Sequence, residues 1–158
     1  MTFKEIHERA ISEWKALQSS NKPRILIGVG TCGSAAGATD VLKAVNEELK
    51  LQNIKAIVIQ VGCIGLCYAE PIMGIIKPRR SQIIYGSLTP ELTRQIITDY
   101  LVNGDPRSDL ALGYVGASSI NGIPNLFELP VLKPQVRLVL HNCGLIDPEN
   151  ITPLFLTD

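Results

Sequence analysis

The chain has 158 residues, 46% hydrophobic and 19% charged, with 15 Lys+Arg against 15 Asp+Glu. That length fits one domain with an appendage, and the balanced charge argues against a nucleic-acid or anionic-membrane partner. No apolar run reaches membrane-spanning length, and the charged N-terminus lacks the apolar core of a signal peptide, so a cytoplasmic protein is expected.

Thr2-Phe-Lys-Glu5 has the pattern of a capping box opening a helix. Phe3, Ile6, Ala10, Trp14 and Leu17 then recur at helical spacing and predict one apolar stripe. Residues 19–23, rich in Ser and Asn and closing on Pro23, end it. Residues 24–29 read as a strand, followed by the glycine-rich turn 30–33 and a helix to about Lys50 that buries Val41, Leu42, Val45 and Leu49. Residues 56–61 form a second apolar strand. A strand, a helix and a strand in this length give a right-handed unit with parallel strands.

Residues 72–77 and 82–85 predict a hairpin turning through 78–81. Thr89 caps and Pro90 starts another helix, with Leu92, Ile96, Ile97, Tyr100 and Leu101 inward, and Asn103-Gly104 stops it. The order βαβ then ββα is that of a thioredoxin-like α/β fold preceded by an extra helix. From 105 to 134 the pattern weakens, and the stretch reads as an ordered tail or linker lying on a partner surface, since its Leu126, Phe127, Leu129, Val131 and Leu132 need cover. Residues 135–140 predict one more strand, with a short helical start near 147–149. The division expected is 1–104 for the domain and 105–158 for the tail.

Four cysteines in a reducing compartment point to metal or redox chemistry rather than to disulfides. Cys32 follows the first parallel strand; Cys63 and Cys67 follow the second. Parallel strands end on one edge of the sheet, where open α/β folds place their ligands. Topology therefore brings three cysteines together, in loops whose glycines let backbone N–H groups approach bound sulfur. Cys143, after the segment 135–140, is the remaining candidate thiolate. Four thiolates suit a two-iron cluster or a zinc ion by count. The absence of any C-x2-C knuckle favours iron. Buried cysteines that only fill space are the alternative, but space-filling does not require three of them on one edge.

Gly28-Val-Gly30-Thr-Cys-Gly33 also matches the G-x-G-x-x-G pattern of dinucleotide sites. Such a site wants an acid at the tip of the second strand, and that tip is Gln60-Val-Gly-Cys63. His7 and His141 read as surface or packing residues, with His141 the fallback ligand should Cys143 not serve. Arg79-Arg80 mark a solvated hairpin tip. Asn150-Ile-Thr152 matches a glycosylation triplet that a cytoplasmic location would leave unused.

Three segments together resemble one known family: Gly30-Thr-Cys-Gly-Ser-Ala-Ala-Gly-Ala38, Val61-Gly-Cys-Ile-Gly-Leu-Cys-Tyr-Ala-Glu-Pro71 and Asn142-Cys-Gly-Leu-Ile-Asp-Pro-Glu149. It is the N-terminal, thioredoxin-like 2Fe–2S ferredoxin domain of NAD(P)H-oxidising flavoprotein subunits. These occur in electron-bifurcating hydrogenases and formate dehydrogenases and are related to the NADH-binding subunit of complex I. The resemblance implies a 2Fe–2S cluster held by Cys32, Cys63 and Cys67, with Cys143 as fourth ligand. It also implies a flavoprotein subunit or domain and other iron–sulfur subunits as partners, with homo-oligomers left open.

Two departures stand out. Related small-subunit ferredoxins pair two cysteines as C-x4-C in the first loop, where this chain has Cys32 and then Gly37. In the family the Asn-Cys-Gly segment leads into an FMN- and NADH-binding domain, so this chain is expected not to oxidise NADH alone. Two competing functions are a thiol–disulfide oxidoreductase using Cys63 and Cys67, and a zinc-stabilised interaction domain.

Overall fold

The computed structural model describes residues 2–148. Helix α1 (Phe3–Gln18) opens with the expected capping box: Thr2 Oγ1 accepts from the Glu5 amide while the Glu5 carboxylate accepts from the Thr2 amide. Along its stripe Ala10 is fully buried and Ile6, Trp14 and Leu17 are half-buried, but Phe3 is exposed.

Strand β1 (Arg24–Gly28) pairs in parallel with β2 (Ile57–Val61), Gly28 opposite Val61 at their common end. The crossover expected as one helix is two. The short α2 (Thr31–Ala35) carries Cys32, and α3 (Ala38–Leu51) follows. They are separated at Gly37, whose φ of +99° lies in the left-handed region that glycine enters without a Cβ clash. Strand β3 (Met73–Ile76) runs antiparallel to β1, β4 (Gln82–Tyr85) antiparallel to β3, and α4 (Pro90–Ile97) starts on its Thr89 cap as the sequence predicts. Its C-terminus continues as a π-helical turn over Thr98–Val102.

A fifth strand, β5 (Ala111–Val115), extends the sheet to the order β2-β1-β3-β4-β5. It falls within the stretch read as a tail, and its short Ala-Leu-Gly-Tyr-Val sequence gives almost no alternation to detect. Gly113 at its centre presses on Leu126: a Cβ there would lie 2.8 Å from Leu126 Cα. The strand expected over 135–140 does not form; these residues are irregular and turn-like, and Val136, Leu138 and Val139 are exposed. The helical start expected near 147–149 is not helix through Pro148, and Glu149 and the 150–152 triplet lie outside the described residues.

Alternation along the central strands makes two cores. Ile25, Ile27, Ile75, Ile83 and Tyr85 face α3 and α4 through Val41, Val45, Leu49, Ile96, Ile97 and Tyr100. On the other face Ile84 meets Leu66, Ala69, Ile72, Leu126 and Leu132. Leu126 and Leu132 thus find their cover on the chain's own sheet. Among the described residues no helix is long and apolar enough to cross a membrane.

Candidate metal centre

Because β1 and β2 end level, the segments that leave them lie side by side. The Val29 amide donates to the Val61 carbonyl just beyond the ladder, and a Cβ on Gly30 would stand 3.3 Å from the Cys63 amide nitrogen. The result is a cluster of Sγ atoms from Cys32, Cys63 and Cys67, all within 4.8 Å of one another. Cys63 and Cys67 are 3.6 Å apart. Between them Leu66 is fully buried in the second core and pins the loop. Cys67 begins a turn of 3-10 helix, Cys67–Ala69, and is exposed, whereas Cys32 and Cys63 are half-buried.

The surroundings of Cys63 disfavour charge. Burial pushes the Cys63 thiol up to about 12, against a lowering hydrogen bond from the Gly65 amide at 3.3 Å, with Cys32, Cys67 and Glu70 raising it further. A cation held here would be ligated by the deprotonated thiols, which offsets this. The donor set fits such an ion. Two thiolates on one tetrahedral metal, each about 2.3 Å from it, stand about 3.8 Å apart, close to the Cys63–Cys67 separation.

Glu70 went unremarked as a site residue in the sequence, yet it belongs to the same centre. It is 8% exposed; its Oε2 accepts from the Ile72 amide at 2.9 Å, and its Oε1 stands 3.8 Å from Cys32 Sγ as acceptor. Its position in the Cys67-Tyr-Ala-Glu70-Pro71 segment was a signal; its burial was not readable. Two of the three dinucleotide-like glycines face this carboxylate, since Cβ atoms on Gly28 or Gly33 would each come within 3.2 Å of Oε2.

Cys143 stands outside the three-sulfur group. Its Sγ lies 3.9 Å from where a Gly62 Cβ would be, and it lines a cleft with His141, Arg137, Phe127 and Ile64. Arg137 ties this segment down by donating to the carbonyls of Ile64 and Leu140, at 2.9 and 3.0 Å, while its guanidinium lies over the Phe127 ring. Gly144 packs directly on Ile64. The tail therefore lies over the cysteine loop. His7 is on α1, stacked on Phe3, and Arg79 and Arg80 are exposed at the β3–β4 turn.

Solved structures share this arrangement of elements. A thioredoxin-like 2Fe–2S ferredoxin from Aquifex aeolicus superposes with a TM-score of 0.52 at 17% identity, covering 64% of this chain and 99% of the ferredoxin. The wild-type crystal structure of such a ferredoxin from the same organism gives 0.51 at 17% identity, over 60% of this chain and 99% of the other. The fold is that of the thioredoxin-like ferredoxins. In sequence, the chain is similar to the NADP-reducing hydrogenase subunit HndB of Solidesulfovibrio fructosivorans, 27% identical over 88 residues that make up 55% of this chain and 70% of HndB. No protein-family model matches the chain.

Proposed function

We propose that the protein is the electron-transfer module of an NAD(P)H-linked, multi-subunit oxidoreductase and holds one 2Fe–2S cluster through cysteine thiolates. The convergence of Cys32, Cys63 and Cys67 within 4.8 Å carries this reading. The ferredoxin fold and the similarity to a hydrogenase subunit support it. A cluster bound there would supply one-electron chemistry. The chain's own residues hold the thiols in place, aim the Gly65 amide at Cys63 Sγ and leave Cys67 open toward a partner. Counting thiolates alone would make Cys143 the fourth ligand; its Sγ lies 3.9 Å from where a Gly62 Cβ would be. The proposed partners are a flavin- and nicotinamide-binding subunit and further iron–sulfur subunits.

Anaerobic purification followed by iron and sulfide analysis tests the proposal. About two irons and two sulfides per chain are expected, with a visible charge-transfer spectrum and an EPR signal on one-electron reduction. Cys67→Ala should lose all three signatures and melt at lower temperature, because metal binding and folding are coupled. Stoichiometric zinc without iron would show a zinc-stabilised domain. Metal-free protein with a reversible Cys63–Cys67 disulfide would show a thiol–disulfide enzyme.

A further inference from the structure

The geometry points to the Glu70 carboxylate, rather than Cys143, as the fourth donor of the centre, on the same metal as Cys32. This inference rests on the proposed cluster and changes one of its ligands. The three thiols divide unevenly: Cys63 and Cys67 already sit as a pair at 3.6 Å, which leaves Cys32 in need of a companion. Cys143 is outside the sulfur group. Glu70 Oε1 is 3.8 Å from Cys32 Sγ. A thiolate and a carboxylate oxygen on one tetrahedral metal, at about 2.3 and 2.0 Å from it, stand about 3.5 Å apart. The structure thus holds two donor pairs, one S/S and one S/O, each near the spacing that a shared metal imposes.

Glu70 is also built into place. A glutamate this buried is rare unless it is paired, and no lysine or arginine bonds to it among the described residues. Its Oε2 is fixed by the Ile72 amide at 2.9 Å, which orients the remaining oxygen toward Cys32. The space it occupies exists because positions 28 and 33 lack side chains. A Cβ at either would come within 3.2 Å of Oε2, and one at Gly33 would also collide with the Gly28 carbonyl. In the metal-free protein Oε1 accepts from the Cys32 thiol. The two donor atoms therefore already face each other, and a metal held there would take the Cys32 sulfur and this oxygen together.

Two substitutions in the full-length protein, loaded anaerobically with iron and sulfide, test the assignment. Glu70→Gln keeps the shape and an oxygen acceptor for the Ile72 amide but replaces a good ligand with a poor one. It should show altered visible bands and g values and hold its iron at least about tenfold more weakly against a competing chelator, the low end of the loss when even an outer partner of a metal ligand is removed. Cys143→Ser should keep the spectrum, g values and iron content of the wild type. A changed spectrum in Cys143→Ser overturns the inference whatever Glu70→Gln does, and so does an unaltered spectrum in Glu70→Gln. Should Glu70→Gln fail to fold, wild-type protein labelled with carbon-13 at its glutamate side-chain carboxylates decides. Resolved carbon-13 hyperfine coupling in the reduced protein supports ligation, and its absence overturns it. Failure of the cluster reading itself would be distinct, because the wild type would then hold no 2Fe–2S centre.

Discussion

The Cys63 thiol, held up to about 12 by burial and its neighbours against an ordinary value of 9.0, links folding to pH in the metal-free protein. Below 9.0 the thiol is neutral in folded and unfolded chains alike and contributes no pH dependence. Between 9.0 and about 12 only the unfolded chain ionises, so stability falls as pH rises through that window. Urea midpoints of apo protein should therefore drop from pH 9 to 11, and Cys63→Ala should show a shallower drop. An identical slope in both would remove Cys63 as the cause. The cysteines were readable at this scale because they follow two parallel strands in glycine-rich segments. Glu70 was not, because nothing in a Glu-Pro pair says whether the carboxylate turns inward. That is decided by the missing side chains of Gly28 and Gly33, far away in sequence and adjacent only in the fold.

Among the elements, the loop between Cys63 and Cys67 has no ladder to hold it and depends on Leu66, which is fully buried against Ala69, Ile72, Ile84, Leu126 and Leu132. Leu66→Ala should cost about 2–5 kcal/mol, as for large-to-small changes in other cores, and should broaden the EPR lines as the two sulfurs lose a fixed separation. Chemical denaturation and EPR on the same sample check both; a stable variant with unchanged lines would show that the cysteines position themselves. Helices were legible here because they announce themselves locally: Thr2 and Thr89 cap, Pro90 starts, and apolar residues recur every three to four positions. Strand β5 has five residues interrupted by Gly113 and draws its pairing from β4, some 30 positions earlier, so its existence is a tertiary fact. The segment 135–140 shows the converse. Its apolar residues suit a strand, but β2 and β5 form the two ends of the sheet, and Arg137 holds the segment over the cysteine loop instead.

For the whole molecule, β5 and the segments after it cover one face of the sheet and one of its edges. A chain ending at Gly104 would uncover the β4 edge and strip Leu126 and Leu132 from the second core. Exposed edges of this kind invite pairing with other chains. The 1–104 fragment should accordingly melt well below the full chain or self-associate, by calorimetry and light scattering. A monomer of full-length stability would show that residues up to 104 are a self-sufficient unit. The sequence pattern placed the division there because periodicity fades after Gly104, but fading periodicity marks where local signals stop, not where packing does.

Gly37 bears on whether the first loop could hold a second cysteine. A cysteine at this position would make a C-x4-C pair with Cys32 on paper. Here the residue has a φ of +99°, and a Cβ built on it meets no atom within 4 Å. A cysteine would start from a backbone that L-residues avoid at a cost of roughly 1–2 kcal/mol, and from a carbon facing open space. Gly37→Cys alone should leave the visible and EPR spectra unchanged. A shift to the spectrum of a different ligand set would show that the loop can present a second thiolate as it stands. If the spectra hold, a first-loop pair requires rebuilding the α2–α3 turn as well as exchanging one side chain.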